Sequence, residues 1–444
     1  VADIPGLYGP QFAAVAAQFS ADVPTALLRM HQHFGDIFGY GVFDPNPVQI
    51  CHPEGVRDVL ITRQPHFEKG IALKRLRRVL GQGLLTSEGT LYLRQRRMIA
   101  PAFHKDRLPA YATLMVDQTQ RMLARWQGQE RIDVQAEMLR LTLAVVTRTL
   151  FAIEIDSELD TICRAVTDVM VLVPYIIQPP GEQLPPEVAR RFEQAMSELD
   201  TLVYRIIDER QREGGGRGDL LSQLIAARDV ETDGSAMSRQ QLRDEVMTLF
   251  LAGHETTSTL LAWVWHALSE HPSVADELYA EVDAVVGDRL PGPDDMPRLV
   301  YTGHVIQEVL RLWPPVWTIG RLVKEPLAIG AYHLRHNTPV LVSPYVTHRD
   351  ARWFARPEAF EPRRWESLEL PKCAFIPFSA GIRMCTGEGF ARLEATLAVA
   401  AVAQRFRLRF EQRGPLPHVA LLTLRPRGSM WARPEPRQRP AVNA

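Results

Sequence analysis

The chain has 444 residues, 46% hydrophobic and 23% charged, with a formal net charge of −1. That balance is ordinary for a globular protein and excludes a long-range field that recruits nucleic acid or an anionic membrane. Cys51, Cys163, Cys373 and Cys385 form no CxxC pair, which fits a reducing, cytoplasmic setting rather than a disulfide framework. No run approaches the roughly 20 apolar residues of a spanning helix, and Val1 to Pro10 lacks the regions of a leader.

In chain order, Ile37–Phe43 and Val48–Cys51 are short apolar runs around Asp44-Pro45-Asn46-Pro47, which predicts a hairpin. From about Pro53 onward helical spacing dominates, over Arg107–Trp126, Glu137–Phe151, Val188–Arg212 and Ser238–Glu270. Ser238 with Gln241 three residues on predicts a capping box for the last of these. Gly214–Gly218 reads as a flexible connector between helices. Strands return at Leu327–Leu334, Val340–Val342 and Val419–Leu424, and the Pro/Arg-rich end, Arg433–Ala444, is expected to fray. The expected fold class is mainly α with small β-sheets near both ends.

Phe378-Ser379-Ala380-Gly381-Ile382-Arg383-Met384-Cys385-Thr386-Gly387 precedes a helical pattern, Phe390–Val402. Glycines on both sides of a cysteine permit a tight turn and a close approach to a bulky group. A thiolate just ahead of a helix is stabilised by the free N–H groups and the positive dipole end. Phe378, Gly381, Arg383, Cys385 and Gly387 match FxxGxRxCxG, the haem-binding signature of the cytochrome P450 family, which the chain resembles over nearly its whole length. The resemblance implies the cytochrome P450 fold and haem b with Cys385 as its axial thiolate, a ligand that pushes electron density onto iron and favours O–O cleavage.

Glu308 and Arg311 stand at i and i+3 on one helix face, which alone describes many surface ion pairs. Before Trp313-Pro314-Pro315 they resemble the family's ExxR helix, and Arg364, in Pro362-Arg363-Arg364-Trp365 with Trp for the usual Phe, supplies the later arginine. The implied role of Glu308, Arg311 and Arg364 is structural. Ala252-Gly253-His254-Glu255-Thr256-Thr257 makes poor local sense inside a helix. It resembles the family's [AG]Gx[DE]TT turn, in which Ala252 and Gly253 line the oxygen pocket, Thr256 hydrogen-bonds dioxygen or its ordered water, and Glu255 relays protons or faces away in a salt bridge. His254 is read as a plain helix residue.

Haem carries two carboxylates whose burial requires cationic donors. Glu88–Arg97 resembles the family's EGxxWxxxRR helix, with Tyr92 where Trp is usual and Arg96 one turn later. Arg321 and Arg383 stand at the spacings of the other propionate arginines. Arg94, Arg97, Lys105, Arg107 and Arg392 read either as a solvated charge run or as a docking face for an acidic electron-transfer partner. Leu84 and Leu85 are expected to overhang the haem. Val169–Ile177, Leu249, Ala252, Val316, Ile319 and Leu422 fall where the family lines its substrate cavity, an apolar set suited to a terpenoid, steroid or fatty chain.

The motifs must converge on one cofactor, so residues 1–444 are read as a single domain, monomeric, with 1–52 and 320–345 contributing the small β region and a helical core from about 86 to 410. The implied enzyme inserts one atom of O2 into a lipophilic small molecule by hydroxylation or epoxidation. Its electrons come from NAD(P)H through a separate ferredoxin or flavodoxin and a reductase. The rivals are a peroxide-driven peroxygenase, against which Glu255-Thr256 counts, a haem-thiolate isomerase or dehydratase, and a haem sensor or carrier.

Overall fold

The computed structural model describes residues 3–155, 158–177, 184–214, 219–228 and 235–437. The helices expected from apolar spacing form at Leu108–Trp126, Val134–Leu150, Pro186–Arg212 and Arg239–Glu270. The second starts earlier than its spacing suggests because the Asp133 carboxylate caps it, accepting the N–H groups of Gln135 at 3.1 Å and Ala136 at 3.4 Å. At the head of the fourth, hereafter the central helix, the capping box is complete. Ser238 Oγ accepts the Gln241 N–H at 3.1 Å, and Gln241 Oε1 accepts the Ser238 N–H at 3.0 Å.

The predicted hairpin forms from Ile37–Gly41 and Val48–Ile50 in antiparallel register. It belongs to a six-stranded sheet in the spatial order Gly6–Tyr8, Ile37–Gly41, Val48–Ile50, Pro339–Val342, Ile319–Val323, Phe67–Lys69. The last strand lies in the stretch that the spacing assigned to helix. Three residues are too few to show an alternation in sequence, yet this strand sets Lys69 opposite Arg321.

The expectation of a frayed end is corrected for its first residues. Trp431–Pro436 is a strand, paired antiparallel with Phe406–Phe410 and with Ile132–Asp133. Ala432 and Pro434 are buried while Arg433 between them is exposed, an alternation masked by the prolines and arginines. Residues 438–444, like 215–218 of the glycine connector, lie outside the described residues.

One hydrophobic cluster runs from Leu76 to Ala432, with a smaller one under the six-stranded sheet and another around Leu27, Phe38 and Trp317. The central helix lies inside the largest cluster. It packs against Val134–Leu150, Val300–Leu312 and Glu388–Arg405, and a helix covered on every side becomes a core element.

Candidate functional site

Three residues break the burial of the central helix. From Leu242 to Leu268 every residue is buried except Ala252, Gly253 and Thr256. Uncovered positions in the middle of a core helix border an interior space, and these are the residues the motif singles out. The Thr256 hydroxyl donates to the Ala252 carbonyl at 2.7 Å, the local back-bond of a helical threonine.

His254 is buried with neither ring nitrogen partnered, and burial lowers its pKa to about 4, so it stays neutral. Glu255, also buried, accepts the Thr423 hydroxyl at 2.8 Å. Burial raises its pKa, while the Thr423 hydrogen bond and the charge of Arg425 oppose that rise.

The cysteine loop is closed by the Cys385 N–H, which donates to the Phe378 carbonyl at 2.9 Å. Gly381 has φ 72°, and a Cβ there would lie 2.2 Å from the Leu60 carbonyl oxygen, so only glycine fits. Gly387 differs. Its added Cβ would meet only the Phe103 ring, at an ordinary 3.6 Å. The expected tight-turn role thus holds for Gly381, whereas Gly387 contributes its amide to the Cys385 sulfur at the head of the helix Glu388–Arg405.

Burial pushes the Cys385 thiol up; the Gly387 amide and Arg96 pull the other way, and Glu388 adds to the rise. The residue nonetheless keeps exposed surface. A thiol both uncovered and surrounded by protein stands at the wall of an interior space.

The helix Gly89–Ile99 grips this loop. The Tyr92 hydroxyl donates to the Ile382 carbonyl at 2.8 Å and accepts from Arg96 at 3.0 Å. Arg96 also donates to the Met384 carbonyl at 2.8 Å and to the Thr386 hydroxyl at 3.2 Å. Tyr92, expected to reach toward a propionate, is engaged with the loop. Arg383 stacks over the Tyr92 ring at 4.1 Å, pairs with Glu88 and donates to the Ser87 carbonyl at 3.3 Å.

Sequence reasoning missed Lys69, which no motif or spacing marks. It is buried and paired across the sheet with Arg321. Burial, with Arg383 and Arg321 nearby, lowers its pKa to about 6, against the pull of Glu88. Arg321 is likewise lowered to about 10 by burial and by Arg383, and its Nε has no acceptor. Arg321, Arg383 and Lys69, the last held mostly uncharged for want of a counter-charge, surround the one acid Glu88, and Arg321 Nε has no acceptor among the described residues, so the set is short of negative charge. Two carboxylates would balance it, so these residues fit the propionates of haem.

Behind the loop, Glu308 and Arg311 are wholly buried. Arg311 donates to Glu308 through Nε at 2.9 Å and through a terminal nitrogen at 2.8 Å, and Arg364 Nε reaches the same carboxylate at 2.9 Å. Trp365 adds an indole N–H to Glu308 at 3.0 Å, a bond that Phe at this position cannot make. His348 links this knot to the cysteine segment. Its carbonyl accepts from Arg311 at 3.0 Å, and its Nε2 accepts the Ile376 N–H at 2.9 Å.

Among the expected substrate-side residues, Leu84, Leu85 and Leu422 are half-buried, Leu249 and Ile319 are buried at the edge of the core, and Val316 is exposed. Val169, Val173 and Ile176 are core residues of the helix Leu159–Ile176, which packs between Val134–Leu150 and Pro186–Arg212. Ordinary packing accounts for them. In the basic patch, Arg94 donates to the Ser235 carbonyl at 3.1 Å and hydroxyl at 3.0 Å, and Arg392 pairs with Glu388 at 2.9 Å. No helix among the described residues is long and apolar enough to cross a membrane.

The sequence model of the family described as Cytochrome P450 matches residues 13–432. Cyclooctatin synthase of Streptomyces melanosporofaciens is 40% identical over 88% of this chain and 85% of its own length. Cyclooctat-9-en-7-ol 5-monooxygenase of the same organism is 37% identical over 81% of this chain and 79% of its own. Pentalenene oxygenase of Streptomyces avermitilis is 33% identical, covering 90% and 91%. The match spans the uncovered face of the central helix, the cation cluster and the cysteine loop alike, and this chain belongs to the cytochrome P450 family of haem-thiolate monooxygenases.

Proposed function

We propose that this enzyme oxygenates a terpenoid, with Cys385 as the iron ligand and Ala252, Gly253 and Thr256 facing the reacting side. The observation that carries this reading is that, between Leu242 and Leu268 of the buried central helix, only those three residues keep uncovered surface. The names of the relatives, a pentalenene oxygenase and a cyclooctat-9-en-7-ol 5-monooxygenase, support the substrate class, as do the apolar residues around the site.

Haem bound through Cys385 would supply dioxygen activation under the electron push of a thiolate. Arg96, Arg321, Arg383 and Lys69 would hold its carboxylates. The small Ala252 side chain leaves room on the helix face for dioxygen, while the bare Gly253 lets Val146 of the neighbouring helix close to 3.0 Å of where a Cβ would stand. Thr256, now back-bonded to Ala252, carries the only side-chain hydroxyl on that uncovered face and holds a proton there. Leu84, Leu85 and Leu422 present apolar surface to the substrate and keep water out. Electrons arrive from NAD(P)H through a separate ferredoxin or flavodoxin, docking near Arg97, Lys105, Arg107 and Arg392. The working form is a cytoplasmic monomer, residues 1–444 acting as one domain, in keeping with four unpaired cysteines.

The reduced carbon-monoxide complex tests the ligand. A strongly red-shifted Soret band is expected, and Cys385→His abolishes it; a histidine-type spectrum in the wild type overturns the reading. Terpenoid hydrocarbons and alcohols are then screened for the spin-state shift that marks displacement of the sixth-ligand water. Isotopically labelled dioxygen, traced into product, separates a monooxygenase from an isomerase or dehydratase.

A further inference from the structure

Glu245 is an acid with no exposed surface inside the central helix; among the described residues its Oε1 accepts no hydrogen bond, and the Gln95 side chain is its polar neighbour. A buried carboxyl is costly, and leucine would suit both helix and core better. The other oxygen accepts the Leu84 N–H at 2.9 Å. The preceding residue, Asp244, accepts the Gln82 N–H at 2.8 Å. From a different element, Lys69 Nζ donates to the carbonyls of Leu84, at 3.0 Å, and Leu85.

Glycine makes the close approach possible. A Cβ on Gly81 would lie 2.1 Å from the Asp244 carboxyl group, and one on Gly83 would lie 2.1 Å from Thr248 Oγ1. The segment therefore rests directly on the helix, held through its main chain.

Helical geometry says where that contact falls. At 3.6 residues per turn, Glu245, Leu249, Ala252 and Thr256 share a stripe about 60° wide, with Glu245 roughly 10 Å along the axis from Ala252. The stripe is the one on which burial is broken. Main-chain clamping leaves the Leu84 and Leu85 side chains free to shape the space over it.

We propose that Glu245 is a positioning residue for substrate selection: by holding the Leu84 amide it sets where Leu84 and Leu85 stand over the reaction face, and so which lipophilic shapes fit. The inference rests on the site reading given above. Glu245 touches no reacting atom and acts through Leu84.

The test titrates the haem-loaded enzyme with imidazole and with 4-phenylimidazole, following the Soret band. Glu245→Gln keeps an acceptor for Leu84, and Glu245→Ala removes it. The ratio of the two dissociation constants is expected to change by about tenfold in Glu245→Ala, with imidazole alone held within about twofold and Glu245→Gln restoring the ratio. An unchanged ratio in a Glu245→Ala enzyme with a normal carbon-monoxide spectrum overturns the inference.

If Glu245→Ala does not fold, amide exchange in the wild type decides. A Leu84 N–H as protected as the central helix supports the clamp, and one that exchanges like open loop overturns it. The carbon-monoxide spectrum reports separately on the site itself: a histidine-type band overturns the assignment of Cys385, and this inference with it.

Discussion

Glu255 and Thr423, 168 positions apart, are joined by a 2.8 Å hydrogen bond from the threonine hydroxyl to the buried carboxylate. The bond ties the acid of the oxygen-side turn to the neighbour of Leu422, an apolar residue facing the expected substrate space. The segment that carries Thr423 is itself fixed. Trp317 donates to the Leu421 carbonyl at 3.0 Å, and Trp263 donates to the Leu424 carbonyl at 2.8 Å. In the proposed function, a substrate pressing on Leu422 would bear on the group that holds Glu255.

Replacing Thr423 by the near-isosteric valine removes that donor. Burial already raises the Glu255 pKa and Thr423 opposes the rise, so Thr423→Val raises it further. A carboxylate that passes protons must be able to lose its own, so its contribution fails as pH falls through its pKa. The acid limb of product formed per dioxygen consumed is thus expected to move to higher pH in the variant. Superimposable profiles for the two enzymes would remove Glu255 from the proton path.

The Trp365 indole makes a further prediction about the knot. Trp365→Phe keeps an aromatic ring near Phe375, whose centroid lies 4.6 Å away, but loses the 3.0 Å bond to Glu308. Loss of one hydrogen bond to a charged, buried acceptor is expected to lower stability by about 1.5–3 kcal/mol. Glu308→Gln leaves the paired Arg311 and Arg364 charges uncompensated and is expected to cost more, about 3–5 kcal/mol. Denaturant unfolding of the haem-loaded proteins ranks them. A tryptophan variant as stable as wild type would show that the indole bond contributes nothing.

Much of this site was legible because its chemistry is concentrated in short segments. Cys385 with Gly381 lies in one loop, Glu308 with Arg311 in one helical turn, and Ala252 with Thr256 in another. Helices read well for the same reason, since their bonds and apolar stripe are local. What sequence hid was non-local. Lys69 belongs to the cation cluster only because a three-residue strand pairs it with Arg321. No motif marks Asp244 or Glu245, whose contacts exist only because Gly81 and Gly83 let a distant loop rest on them. The two roles given to the flanking glycines also separate only in space, where Leu60 crowds Gly381 and nothing crowds Gly387.

His31 supplies a pH dependence away from the site. Its Nε2 lies 3.5 Å from Asp350 and its Nδ1 3.0 Å from the Gly35 carbonyl. Arg352 pairs with both Asp36 and Asp350 beside it. Burial works against the imidazolium, but Asp350, the Cys51 sulfur and the Gly35 carbonyl outweigh it and raise the pKa from 6.5 to about 10. A raised histidine pKa contributes stability that is fully present below 6.5 and lost as pH rises toward 10. The wild-type melting temperature minus that of His31→Gln is therefore expected to shrink steadily across that interval. Glu245, raised by burial to about 8, titrates within it but is common to both proteins and cancels in the difference. A difference that stays flat would mean that the imidazole is not charged in the fold.

Thr256 carries the sharpest test of the oxygen-side reading. Its hydroxyl donates to the Ala252 carbonyl at 2.7 Å, so it is held at the uncovered face and not turned into the core. Reduction of dioxygen to product needs protons delivered in step with electrons, and a site without ordered delivery releases hydrogen peroxide. Thr256→Ala removes the hydroxyl without adding bulk, whereas Thr256→Ser keeps it. In the alanine variant, product per dioxygen consumed is expected to fall about tenfold or more, toward the roughly hundredfold at the low end of what positioned proton transfer contributes. Peroxide should rise to match while oxygen uptake continues, and serine should recover most of the coupling. Because Leu84, Leu85 and Leu422 are untouched, the substrate-induced spin-state shift should be unchanged in both variants. Equal loss of that shift and of product would place Thr256 in substrate binding and take the proton role away from it.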